Sequence, residues 1–196
     1  MRFIPLSILL FTLYSCSSPS VQETVPMVTK DNDTIQPCRH VNTFKTADEY
    51  FSDANNKTKD CWGDSLACAA ALKEYARAVE LNPGFWQARR NYGRMLCGFK
   101  RYTDAITQYT EAMKHSDDAD LNIGRAFAYY NLQRYKEAVN DYNIALKVGM
   151  DIQYCLSWKA KAEWLMGNKD SACADYHRAL AIDTTNKKAM EFIKCN

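Results

Sequence analysis

Three columns of residues recur along the chain at nearly constant intervals. Ala71, Ala105, Ala138 and Ala172 stand 34, 33 and 34 residues apart, and Ala78, Ala112, Ala145 and Ala179 repeat those separations. Between them Tyr75, Tyr109, Tyr142 and Tyr176 keep the same register. Alanine, tyrosine and alanine at relative positions 0, 4 and 7 lie on one face of a helix, because 3.6 residues complete a turn. Two small residues let a neighbouring helix approach, and the phenol ring fills the space between them. A four-fold repeat of such a face describes one helix of a helical hairpin, stacked on copies of itself.

The partner helix lies upstream in each unit. Trp86 to Phe99 offers Tyr92-Gly93 and Leu96 on one face; Ala119 to Leu132 offers Arg125-Ala126 and Tyr129; Gln153 to Met166 offers Leu156, Lys159-Ala160 and Glu163. Gly93, Ala126 and Ala160 recur where two axes come closest. The links Lys100-Arg101, Gln133-Arg134 and Gly167-Asn168 are short enough to force antiparallel neighbours. With only 7 Gly and 5 Pro, and with Val and Ile sparse, composition also favours helix over strand. The expected class is all-α.

These features together resemble the tetratricopeptide repeat family, whose unit is a helix-turn-helix of 34 residues. The family's alanine, aromatic and alanine columns at unit positions 20, 24 and 27 are matched four times, and position 8 is small in three units. Position 17 is Tyr102 and Tyr135 in the middle units. The family's proline at position 32 is present only as Pro83, and its tryptophan at position 4 is absent. The resemblance covers residues 46–196 and implies a right-handed solenoid of about four hairpins. The repeats fall at about 46–83, 86–117, 119–150 and 153–186, followed by a capping helix at 187–196. Ala189, Phe192 and Ile193 are spaced to cover the last apolar face. The first unit departs most. A capping box at Thr46 and Glu49 opens a helix, Cys68 to Leu81 forms its partner, and Asn55 to Leu66 reads as a long loop between them.

The N-terminus carries a different signal. Residues 1–16, MRFIPLSILLFTLYSC, join a cationic Arg2 to an apolar run too short to span a bilayer, which is the shape of a secretory signal. The ending Leu13-Tyr14-Ser15-Cys16 resembles a bacterial lipobox, although Tyr14 is bulkier than the pattern favours. That resemblance implies cleavage of a signal peptide at 1–15 and acylation of Cys16, with palmitate-type chains holding the protein on the membrane of a bacterial cell envelope. The alternative is an ordinary cleaved signal with Cys16 incidental. Residues 16–45 read as a flexible tether, rich in Ser, Thr, Pro and Asp.

Seven further cysteines follow, none in a Cys-x-x-Cys pair, which argues against a zinc ribbon and a thioredoxin-like site. The tetratricopeptide resemblance implies that Cys173 faces Cys195 of the cap, and that Cys68 and Cys97 are related similarly across the first two units. Cys38 and Cys61 then form a leftover pair, with Cys155 free. Against this, Cys97 and Cys155 also suit small buried hydrophobes. His40, His115 and His177 share no spacing, so neither a metal site nor a catalytic dyad is expected, and no cofactor. A net charge of +2 without a dense basic run gives nucleic-acid binding little support.

The expected function is therefore a non-catalytic scaffold for a protein or peptide partner. In the family the first helices line a concave groove, which here implies Gln87, Arg90, Arg94, Ile123, Phe127, Tyr130, Tyr154, Lys161 and Trp164. Basic groups among aromatics suit an extended peptide with acidic or apolar side chains; ordinary packing and solvated charge is the competing account. Asn91 resembles one member of the family's carboxylate-clamping subtype, but the third unit supplies no equivalent, so that activity is not expected. A purely structural envelope component, acting through its convex face or by self-association, is the rival reading.

Overall fold

The computed structural model describes residues 45–59, 61, 65–183 and 195. The expected signal peptide, Cys16, Cys38, His40, the expected tether through residue 44 and all of the expected cap except Cys195 lie outside them. The described helices belong to one of the chain's two units, Thr43–Asn196.

Eight helices follow in order: α1 (Ala47–Lys59), α2 (Ser65–Leu81), α3 (Trp86–Gly98), α4 (Tyr102–Ala112), α5 (Ala119–Asn131), α6 (Tyr135–Lys147), α7 (Ile152–Leu165) and α8 (Lys169–Ile182). There is no strand among the described residues. Each helix packs on the next in sequence, and α3 also touches α5, as α5 touches α7. The result is four hairpins stacked so that the first helices share one side. All residues of the three repeated columns are buried, none more than 8% exposed. The alanines let the helices approach, and the tyrosines supply the apolar area that the alanines cannot.

Three of the hairpin turns share one solution. In α3–α4 the Arg101 N–H donates to Leu96 O and the Lys100 N–H to Cys97 O, both at 2.9 Å. Arg134 and Gln133 repeat the pattern on Tyr129 and Tyr130, and Asn168 and Gly167 repeat it on Glu163 and Trp164. This closure needs one residue in the left-handed region. Lys100 takes φ 58°, Gln133 φ 61° and Gly167 φ 86°. Only the third is a glycine.

In the first unit the structure corrects the expected long loop. α1 continues through Asn55 to Lys59, so the connection to α2 is confined to residues 60–64. The extra turn is held from both sides: Tyr75 Oη donates to Asn55 Oδ1 at 2.6 Å, Lys57 pairs with Glu74, and Thr58 Oγ1 donates to Asn55 O at 2.7 Å. At its start the Thr46 N–H donates to Glu49 Oε2 at 2.7 Å, and the Glu49 N–H returns to Thr46 Oγ1 at 3.3 Å.

Cysteine pairing also differs from the sequence reading. Cys173 and Cys195 are bonded with Cα atoms 5.6 Å apart, which fastens Cys195 to α8. Cys61, however, is bonded to Cys68, Cα to Cα 4.9 Å, across the short α1–α2 connection. This replaces both the Cys68–Cys97 and the Cys38–Cys61 pairings. Cys97 is a buried free thiol that packs with Leu96, Ala105 and Tyr109, turned toward α4 of its own hairpin. Cys155 is likewise buried and free.

Candidate functional site

A cavity of about 650 Å³ opens on the side shared by the first helices, within the range of ligand pockets. α3 contributes Arg90, Asn91, Arg94, Cys97 and Gly98; α5 contributes Asp120, Ile123, Gly124 and Phe127; Asp151 and Tyr154 close the far side, and Tyr109 of α4 lines it as well.

Its position follows from one place in the repeat. Asn91, Gly124 and Trp158 occupy the same point of α3, α5 and α7. Trp158 fills its space with a ring and Asn91 with an amide, whereas the space beside Gly124 is taken by the ring of Tyr109, which thereby reaches the cavity wall. A β-carbon on Gly124 would stand 2.6 Å from Tyr109 Oη, and one on Gly93 would stand 2.9 Å from Tyr109 Cζ. Burial pushes the Tyr109 phenol well above its ordinary range, so it stays neutral.

Of the nine groove residues implied by the sequence, Arg90, Arg94, Ile123, Phe127 and Tyr154 meet at this cavity. Gln87, Tyr130, Lys161 and Trp164 do not line it. Tyr130 and Lys161 belong to a neighbouring aromatic cluster built on Trp158, a residue the sequence reading passed over. Phe127 and Tyr130 meet the Trp158 ring edge-on at centroid distances of 5.2 and 5.0 Å, and Tyr154 lies 5.9 Å away. Lys161 Nζ stands 4.4 Å from the same ring centroid, where burial pushes its amine down. Trp164 belongs to the C-terminal cluster with Tyr176, Leu180, Cys173 and Cys195.

The polar groups divide by whether they are already satisfied. Arg90 donates to Asp118 Oδ2 at 3.2 Å and to Asp120 Oδ2 at 3.4 Å, and it lies over Trp86. Asn91 Nδ2 donates to Asn55 Oδ1 at 2.9 Å, so that amide ties α3 to α1. Arg94 is exposed and has no ion pair or hydrogen bond among the described residues. Burial pushes the Tyr154 phenol up to about 12, so it too enters as a neutral donor.

A fourth column was missed. Glu74, Gln108, Asp141 and Asp175 each precede a column tyrosine, and each takes a cation from the first helix of its own hairpin. Lys57 pairs with Glu74; Arg89 donates to Gln108 Oε1 at 2.9 Å; Arg125 grips Asp141 through two bonds of 2.7 and 2.9 Å; Lys159 donates to Asp175 at 2.6 Å. These bind the hairpins internally and lie outside the cavity lining. Among the described residues no group of three His, Cys, Asp or Glu side chains is placed to hold a metal ion. No described helix is long and apolar enough to cross a membrane.

Residues 68–120, from α2 to the start of α5, match the family model described as tetratricopeptide repeat. The chain is 25% identical over 162 residues to human tetratricopeptide repeat protein 6, covering 74% of this chain and 31% of that protein. It is 30% identical over 94 residues to the heat shock protein STI1 of Saccharomyces cerevisiae, covering 47% of this chain and 16% of that one. It thus spans under a third of the length of these relatives. Among solved structures it resembles the MamA protein, with a TM-score of 0.67, 14% identity, and 75% and 78% of the two chains covered. At that identity the likeness concerns the fold.

Proposed function

On the footing that the chain belongs to the tetratricopeptide repeat family, we propose that it is a non-catalytic scaffold that receives an extended peptide of a partner protein in the α3–α5–α7 cavity. The observation that carries this reading is the cavity itself: an opening among the first helices lined by an uncommitted arginine and by the half-buried aromatic side chains of Phe127 and Tyr154. Peptides in such grooves are held by a few anchors in pockets, with the rest of the contact excluding water. The proposal includes attachment to the bacterial cell envelope through lipid on Cys16, supported by the lipobox-like ending.

The test is site-specific photocrosslinking in cells, with a benzophenone amino acid at Phe127 and, as the opposite-face control, at Asn140. Adducts to a defined partner from Phe127 alone are expected; adducts from Asn140 alone would overturn the placement. Metabolic labelling with an alkyne fatty acid, lost in Cys16→Ala, tests the anchor. A second reading, self-association, is favoured by the exposed apolar residues Ile144, Val148, Met150 and Ile152 about the α6–α7 connection. Sedimentation of the full chain as a monomer would remove it.

A further inference from the structure

We infer that the cavity selects a mixed-charge peptide segment, an acidic side chain set against Arg94 and a basic one against Asp151, with an apolar residue between them. This rests on the peptide-groove reading and specifies its ligand.

The inference begins with which charges are already compensated. Of the four charged residues lining the cavity, Arg90 and Asp120 face each other at 3.4 Å, and Asp118 completes the neutralisation of Arg90. Asp118 also has a structural task, since its Oδ1 accepts the Asp120 N–H as the N-cap of α5. Asp151 stands at the corresponding start of α7, yet its carboxylate caps no N–H. Among the described residues it has no ion pair, and neither has Arg94. The cavity therefore offers one unpaired cation from α3 and one unpaired carboxylate from the α7 start. Ile123, Phe127 and Tyr154 are among the uncharged residues that line the rest.

The backbone at Asp151 supports a role beyond turn-making. Lys100, Gln133 and Gly167 adopt positive φ to close hairpin turns, whereas Asp151, at φ 38° and ψ 55°, opens a helix. A non-glycine residue is disfavoured in that region and persists where its surroundings hold it. A single-sign peptide would leave one of the two charges opposed or unanswered, and like-charge juxtaposition is how interfaces reject wrong partners.

Five synthetic peptides capped at both termini test this. They share a Leu-Phe-Leu centre and differ only in the flanking residues: Glu then Lys, Lys then Glu, Glu twice, Lys twice or Gln twice. Binding is read by fluorescence anisotropy on the full chain in detergent. One of the two mixed-charge orders is expected to bind about tenfold tighter than the three remaining compositions. Arg94→Glu and Asp151→Lys should each abolish that preference, and the double exchange should invert the favoured order, which a merely misfolded variant would not do. Equal or tighter binding of the doubly acidic peptide overturns the inference while leaving the groove intact. Absence of binding by all five overturns both. Self-association of the peptide-free chain that Arg94→Glu abolishes would place a second copy in the cavity and also overturn it.

Discussion

Tyr109 Oη lies so close to Gly124 that a β-carbon on the glycine would stand 2.6 Å from it. Gly124→Ala must therefore push the ring back into a packed interface, at a cost of about 1–3 kcal/mol. Gly98→Ala, on the same cavity wall but with nothing within 4 Å, should instead gain up to about 1 kcal/mol from helix propensity. Urea unfolding of both variants checks the pair; equal stability would mean that the ring is not tightly held.

Lys100 bears a backbone conformation suited to glycine. Lys100→Gly should stabilise by about 1 kcal/mol, and Gly167→Ala should destabilise by a similar amount, because no side-chain clash complicates either turn. Thermal unfolding should move in opposite directions for the two.

Asp141→Ala would leave Arg125 half-buried and unanswered, since the carboxylate side chain is only 2% exposed and accepts two bonds. The expected loss is about 3 kcal/mol. Asp104→Ala breaks an exposed pair with Arg101 and should cost less than about 1 kcal/mol. Comparable losses would contradict the burial argument.

Two column tyrosines should answer oppositely to loss of the hydroxyl. Tyr75→Phe removes the bond to Asn55, at about 1 kcal/mol. The Tyr142 hydroxyl is buried without a partner among the described residues, so Tyr142→Phe should be neutral or stabilising. Chemical denaturation distinguishes them.

Burial pushes the Cys97 thiol up to about 11 and the Cys155 thiol up to about 12, from an ordinary value near 9. At pH 8 both should alkylate at least about 100-fold more slowly than an exposed thiol, in proportion to their thiolate fraction. The folded state holds these protons more tightly than the unfolded chain. Their contribution to stability is therefore complete below about pH 9 and lost as pH rises toward 12. Cys155→Ala should flatten that alkaline decline in melting temperature.

The hairpin stack was legible because alanine and tyrosine recur at a period that geometry converts directly into one helix face. The acidic column was equally present but harder to see: Gln108 interrupts its charge, and its cations sit at changing offsets in the first helices. Arg90 read as a groove cation because its carboxylates, Asp118 and Asp120, lie across a whole hairpin in sequence. The Cys68–Cys97 pairing failed for a related reason. A repeat position specifies a face, whereas a sulfur–sulfur bond depends on which way one side chain turns from it. Gly124 was invisible as a site residue because what it contributes is room for the ring of Tyr109, a residue of another helix.

Arg125–Asp141 and Lys159–Asp175 each close within one hairpin, while the tyrosines reach across to the next. The seams carry polar bonds as well, from Asn91 to Asn55, from Arg90 to Asp118 and Asp120, and from Arg125 to Thr110, so each hairpin has an internal lock and a latch to its neighbour. Whole units can be gained or lost with the internal locks intact, but the charge of Arg90 is answered only while the hairpin that begins at Asp118 follows its own, so the second and third cassettes must travel together.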